Sequence, residues 1–116
     1  MKAGRESDLV RACLDLLALR GITAWRNNNA GIYDPARRRF RTFHGLKGAS
    51  DILGILAGGR FLAVECKMPG GKLSPDQTAF LDMIRERGGL AIVVHNVAEL
   101  DAALMAEPVG KSTSAK

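Results

Sequence analysis

The sequence predicts a single mixed α/β domain in which helices flank a mixed central β-sheet. Its 116 residues fit one domain. Helical and strand periodicities follow one another in the order α, four strands, α, β, α. The late apolar run LAIVVH, at 90–95, is typical of a strand covered on both faces. We expect the domain to span residues 1–106 and the small, polar residues 107–116 to form a disordered tail.

The first element is an amphipathic helix over residues 5–20. Val10, Cys13 and Leu17 lie on its apolar stripe, and Gly21 ends it. Glu6 precedes Val10 by four residues, so it lies on the extension of the buried stripe, which is an unusual place for a carboxylate. The alternative is that Glu6 is a first-turn acid that interacts favourably with the helix dipole.

Four strands are predicted next, over residues 22–29, 37–43, 51–57 and 60–67, with a turn at Asp34-Pro35 before the second. The last two form a hairpin. A three-residue loop at 58–60 would pair residues whose numbers sum to 118. That register places Asp51 opposite Lys67 and diagonal to Glu65, all on one face of the sheet.

The helix that follows has a complete start signal. Ser74 is the predicted N-cap, Pro75 takes the first helical position and Gln77 lies three residues after the cap. Gly88 ends this helix. Asn96 caps the last helix in the same way, after the strand at 90–95.

The positive charge of the chain is concentrated in one segment. The net charge is +5, and the segment 26–47 carries six basic residues and one acid, which accounts for the whole excess. Such a patch favours contact with a polyanion; the alternative is a solvated hairpin whose arginines serve solubility. With Asn27, Asn28 and Lys72 as additional polar contacts, the predicted nucleic-acid-binding residues are Arg26, Asn27, Asn28, Arg37, Arg38, Arg39, Arg41, Lys47 and Lys72.

Several classes of protein are disfavoured. No apolar run reaches the roughly 18 residues that a membrane span needs, and the first residues, MKAGRESDL, lack the apolar core of a signal peptide. We therefore expect a cytoplasmic protein that makes no membrane contact. Cys13 and Cys66 lack metal-type spacing, so buried free thiols are expected.

The residues that carry chemistry converge at a strand end. Glu65 and Lys67 are two apart on one strand and share a face with Asp51. Two adjacent carboxylates repel each other unless a cation lies between them, and hard oxygen ligands suit Mg²⁺ or Mn²⁺. The backbone carbonyl of Cys66 would be a further ligand, and the lysine would orient or deprotonate a water, or hold a phosphate. The alternative is a surface ion pair of little energetic value.

These residues resemble a known family. Asp51, then Glu65-Cys66-Lys67, then Gln77 in a helix is similar to the pattern of the PD-(D/E)XK nuclease superfamily. The stretches KGASDILGIL and LAVECKMPGGKLSPDQTAFLDMIRERGG resemble the VRR-NUC family more narrowly. Ser50 departs from the proline that family members often have before the aspartate.

The resemblance implies a restriction-endonuclease-like core and a metal-dependent nuclease. It assigns metal-binding carboxylates to Asp51 and Glu65, the catalytic lysine to Lys67, the helix glutamine near the metal to Gln77, and the first-helix acid, a possible metal ligand, to Glu6. The compact form resembles stand-alone, phage-type members, which are structure-selective endonucleases. We therefore expect Mg²⁺ or Mn²⁺ but no small-molecule cofactor, cleavage of branched DNA such as four-way (Holliday) junctions, and a homodimer. The alternatives are a non-catalytic nucleic-acid-binding module, a nuclease of restriction-type duplex sites, and a nuclease of RNA.

Overall fold

The computed structural model describes residues 5–27, 32–41 and 46–107. Three helices and six strands lie in these ranges. The helices are α1 (Glu6–Leu19), α2 (Pro75–Glu86) and α3 (Val97–Met105), and the strands are β1 (Thr23–Arg26), β2 (Ile32–Asp34), β3 (Arg39–Arg41), β4 (Ile52–Ile55), β5 (Phe61–Cys66) and β6 (Leu90–Val94).

The main sheet has four strands in the order β1-β4-β5-β6. β1, β4 and β5 are antiparallel neighbours, and β6 joins β5 in parallel after the chain passes through α2. This mixed sheet with flanking helices confirms the predicted fold class.

A small separate hairpin departs from the predicted strand count. β2 pairs with β3 in a two-stranded sheet of its own, so five strands precede α2 where four were expected. With three residues, β2 is too short to show a strand period in the sequence. The predicted turn is present, and the Asp34 carboxylate accepts the backbone N–H of Ala36 within it.

The predicted register of the β4–β5 hairpin was wrong by two residues. Ile52 pairs with Val64, and Leu56 donates its N–H to the Arg60 carbonyl, so paired numbers sum to 116. The loop has the expected three residues, but it spans Ala57–Gly59, with both glycines at positive φ in its second and third positions. Because a shift of two residues keeps every side chain on its face, the predicted clustering survives.

Two apolar layers cover the sheet. On one face, α1 and α3 pack over the even-numbered strand residues, with Val10, Cys13 and Leu17 of α1 fully buried. On the other face, Phe80, Leu81 and Ile84 of α2 pack against Ala63 and Ala91, which belong to β5 and β6. The two cysteines are buried free thiols, as expected.

The loop before β4 is fixed to the start of α2. Gly48 has a φ of +80°, and a Cβ there would lie 2.3 Å from the Asp76 carbonyl oxygen. Only glycine fits this conformation and this close approach. The contact joins the segment that leads to Asp51 with the helix that carries Gln77.

Two further expectations concern the C-terminal tail and membrane-spanning helices. Residues 108–116 lie outside the described residues, whereas Glu107 pairs with Arg60. Over the ranges that the structure describes, none of the helices has the length and apolar character of a membrane span.

Candidate active site

The carboxylates of Asp51 and Glu65 meet at one edge of the main sheet. Asp51 lies one position before β4, directly opposite Glu65 in the observed register, rather than opposite Lys67. Its Oδ2 accepts the backbone N–H of Cys66 at 2.8 Å, which fixes the carboxylate beside the strand. Glu65 is only 1% exposed, whereas Asp51 is partly exposed.

Burial, and after it the adjacent Asp51 carboxyl, raises the pKa of the Glu65 carboxyl to about 8. Glu65 Oε1 is buried and has no hydrogen-bond partner among the described residues. A buried, unpartnered carboxylate oxygen facing a second carboxylate is costly without a cation. These residues therefore fit a divalent ion with hard oxygen ligands.

Lys67 lies on the same side of β5 as Glu65, as predicted. Its Nζ is 4.0 Å from Glu65 Oε2, and its side chain is 15% exposed. The Lys67 N–H donates to the Val94 carbonyl and continues the parallel ladder beyond the end of β5. The ammonium is thus held close to the carboxylates yet within reach of solvent.

Gln77 has two roles at once. Its Oε1 accepts the Ser74 N–H at 2.9 Å, while Ser74 Oγ accepts the Gln77 N–H, which completes the predicted capping box. Its Nε2 donates to Glu65 Oε2 at 3.0 Å. The capping box is present as predicted, and it fixes the amide that contacts the buried carboxylate.

The thiol and the backbone groups of Cys66 face different parts of the structure. The thiol belongs to the buried layer with Cys13, and contact with that thiol, followed by burial, raises the pKa of Cys66. Its N–H bonds to Asp51, and within a strand the N–H and carbonyl of one residue point to the same edge. The Cys66 carbonyl is therefore directed to the Asp51 side, while its sulfur lies on the opposite face.

Glu6 differs from this pair in its exposure. It is exposed at the start of α1, and its charge is the smallest of the influences that raise the pKa of Glu65. Within the described ranges no three His, Cys, Asp or Glu side chains are grouped closely enough to hold a metal. The donors that could hold an ion here are thus two carboxylates and, by its direction, the Cys66 carbonyl.

The structure distributes the predicted nucleic-acid-binding residues over three places. Arg26 ends β1 near the carboxylates, where the Asn27 N–H donates to the Asp51 carbonyl at 2.7 Å. Arg37 pairs with Asp34 in the hairpin turn, beside exposed Arg38 and Arg39. Lys47 and Lys72 are exposed near the start of α2, and Lys47 pairs with Asp76 at 3.6 Å. Asn28 and the side chain of Arg41 lie outside what the structure describes.

Comparisons with known proteins identify the family. A family model described as the VRR-NUC domain matches residues 32–98, more than half of the chain, and the chain belongs to this family of nuclease-type domains. The matched segment contains Asp51, Glu65, Lys67 and Gln77 but not Glu6. A solved structure titled VRR_NUC domain superposes with a TM-score of 0.66 and 22% identity, over 90% of this chain and 98% of that one, which shows a shared fold. No curated protein matches the chain.

Proposed function

We propose that this domain is a Mg²⁺- or Mn²⁺-dependent endonuclease that hydrolyses phosphodiester bonds in branched DNA. One observation carries the proposal. The buried Glu65 carboxylate has an unpartnered oxygen, faces Asp51 and lies 4.0 Å from the Lys67 ammonium. Uncharged side chains at these positions would stabilise the fold better, because a buried charge destabilises a fold unless it is compensated.

In this proposal the metal is held by Asp51, Glu65 and the Cys66 carbonyl, with Glu6 at most a ligand through water. A bound ion of this type supplies Lewis-acid polarisation of a phosphate oxygen and a water of lowered pKa. Lys67 positions the attacking water or the phosphate and offsets negative charge that develops in the transition state. Gln77 holds the Glu65 carboxylate in orientation through its N–H donor.

The charge distribution supports the proposed substrate class. The basic residues offer contacts to phosphates, which position a nucleic acid without reading its sequence. We therefore propose selection by DNA shape, with a four-way junction as the leading candidate. Symmetric cutting of a junction requires two sites, so we also propose that the protein is a C2 homodimer and that it acts in the cytoplasm. Light scattering that gives twice the monomer mass would support the dimer. A monomeric mass at concentrations where the protein cleaves DNA would refute it.

The hairpin arginines should contribute to the salt dependence of DNA binding. Arg38 and Arg39 are exposed, whereas Arg37 is already paired with Asp34. Replacing Arg38 and Arg39 by alanine should lower the slope of log K against log salt by up to about 2, since each lost phosphate contact removes about 0.9.

Fluorescence polarisation with labelled DNA at several salt concentrations measures that slope. The matched control replaces Arg11 on α1 and Arg87 at the C-cap of α2, which are both exposed and carry the same total charge. An unchanged slope in the hairpin variant, or an equal drop in both variants, would mean that these arginines serve solubility instead.

Two alternatives remain distinct from the proposal. A binding module on this fold would bind nucleic acid and cut nothing with any metal. A nuclease with another target would cut linear duplex at specific sites, or RNA, in preference to branched DNA. The proposal is favoured over the binding module because the carboxylate pair, the lysine and the glutamine are all assembled.

A panel of labelled substrates tests the proposal. It contains a four-way junction, a splayed duplex, a flap, a linear duplex, a single strand and an RNA hairpin, each incubated with Mg²⁺, Mn²⁺ or EDTA. We expect metal-dependent cleavage of the junction above the linear duplex. Binding without cleavage under every metal would support the binding module, and preferred cutting of linear duplex or RNA would replace the substrate assignment.

A further inference from the structure

One sheet face carries a group of exposed apolar side chains. Of the described elements, α2 packs mainly over β5 and β6 on this face, and the side of β1 and β4 is more exposed. Trp25 is 43% exposed, Ile55 47% and Phe61 36%, with Leu53 partly covered among them. Exposed large apolar side chains grouped in this way mark a binding surface more often than chance exposure does.

This apolar strip is continuous with the carboxylate pair. Trp25 pairs with Leu53 in the β1–β4 ladder, and the Asn27 N–H to Asp51 carbonyl bond extends the same register by two residues. Directly opposite residues share a face, so Trp25 lies on the face that carries Asp51 and Glu65. Its position is diagonal to Asp51, at about 7–8 Å between backbones. This distance is of the order of the spacing between successive nucleotides in an extended nucleic-acid strand.

The chemistry of the strip suits a nucleobase. Trp25 presents an aromatic ring on this face, whereas Arg26, the next residue of the strand, points to the other face. β1 and β4 carry no acidic side chain, so a polyanion that reaches the carboxylate pair meets no repulsion along these strands. An exposed aromatic side chain is a usual platform for an unpaired base, because every base has an apolar face on which the ring can stack.

We propose that Trp25 stacks an unpaired nucleobase adjacent to the phosphate at the Asp51–Glu65 site. The inference rests on the proposed endonuclease function and adds to it a preference for an unpaired base beside the cut site, since a base within a duplex is already stacked on its neighbours and cannot reach a flat sheet face. A second copy of the chain is a less suitable occupant. Four side chains cover far less than the roughly 800 Å² per partner of a stable interface.

The chain contains a single tryptophan, so its fluorescence reports directly on this position. The probes are a linear duplex, the same duplex with one bulged nucleotide, and the bulged duplex with an abasic residue at the bulge. Ca²⁺ replaces Mg²⁺ so that cleavage does not interfere. We expect the bulged base to quench Trp25 emission at least about twofold more than either of the other probes.

Variants then measure the energetic effect by fluorescence polarisation. Trp25→Leu keeps apolar bulk without the aromatic ring and should lower affinity for the bulged duplex roughly tenfold more than for its abasic counterpart. Trp25→Phe keeps a ring and should retain most of the preference. Leu19→Ala, which truncates an exposed apolar side chain on α1, is the matched control and should change neither affinity.

The outcomes separate this inference from the proposed function. Quenching by the bulged base in a protein that cuts nothing would refute the endonuclease but support stacking. Cleavage of branched DNA by Trp25→Leu with wild-type preference for the unpaired base would refute stacking and leave the endonuclease intact. A second copy of the chain would be the occupant if Trp25 fluorescence changed with protein concentration but not with DNA, and if Trp25→Leu had a lower mass in solution than the wild type. That result would overturn the inference.

Discussion

Replacing Lys67 by alanine should reduce phosphodiester cleavage by at least about a hundredfold, with DNA affinity changed by less than about threefold. The reason is geometric. The Lys67 ammonium is 4.0 Å from Glu65 Oε2 and mostly buried, so it is directed at the carboxylate pair, where a reacting phosphate would lie, rather than along the basic surface. Its charge therefore acts on the transition state more than on the binding of DNA.

Cleavage rates under single-turnover conditions, together with polarisation measurements of binding, test this expectation. Arg11→Ala removes the same charge from the exposed face of α1 and should leave both quantities unaltered. Equal losses of rate and affinity in Lys67→Ala would mean that the lysine only binds DNA. The catalytic assignment would then have to be abandoned.

Replacing Glu65 by glutamine should stabilise the metal-free protein at high pH. The pKa of Glu65 in the folded state is about 8, raised by burial and then by Asp51, whereas an unfolded glutamate titrates near ~4.3. The folded state therefore binds a proton that the unfolded state releases between these values. The stabilisation from this group is complete below the unfolded pKa and is lost as the pH rises toward 8.

Thermal unfolding in EDTA checks this sign. At pH 5 the wild type and Glu65→Gln should unfold at similar temperatures. At pH 8 the variant should be more stable by on the order of 2 kcal/mol, or several degrees in Tm. Glu86→Gln, at an exposed position of α2, is the control. A variant that is less stable than the wild type at pH 8 in EDTA would show that Glu65 is a structural carboxylate with a compensating partner.

Much of the fold was predictable because local signals agreed with one another. The side chains of Ser74 and Asn96 cap α2 and α3 as expected, and Gly88 follows α2 with a φ of +90°. The register of the β4–β5 hairpin was not predictable to the residue, because two adjacent glycines allow the loop to begin one position earlier. β2 was missed because three residues cannot display a period.

The proximity of Asp51, Glu65 and Lys67 was predictable from the sequence, whereas the exposure of Glu6 was not. Glu65 and Lys67 stand out in the sequence because ionisable residues interrupt an apolar strand. The second hydrogen bond of Gln77, which reaches Glu65 as well as the cap, depends on how α2 packs over β5. The sequence did not indicate a role for Trp25, because its proximity to Asp51 depends on the pairing of β1 with β4.

A calorimetric titration of Mn²⁺ into the wild type and Asp51→Asn tests the central claim most directly. Asparagine can still accept the Cys66 N–H, so the strand edge is preserved while one negative charge is lost. The account predicts saturable binding to the wild type and an affinity at least about tenfold weaker in the variant. Asp82→Asn, which changes an exposed carboxylate of α2, should titrate as the wild type does. Equal Mn²⁺ affinities for Asp51→Asn and the wild type would contradict the claim that this carboxylate pair holds the metal.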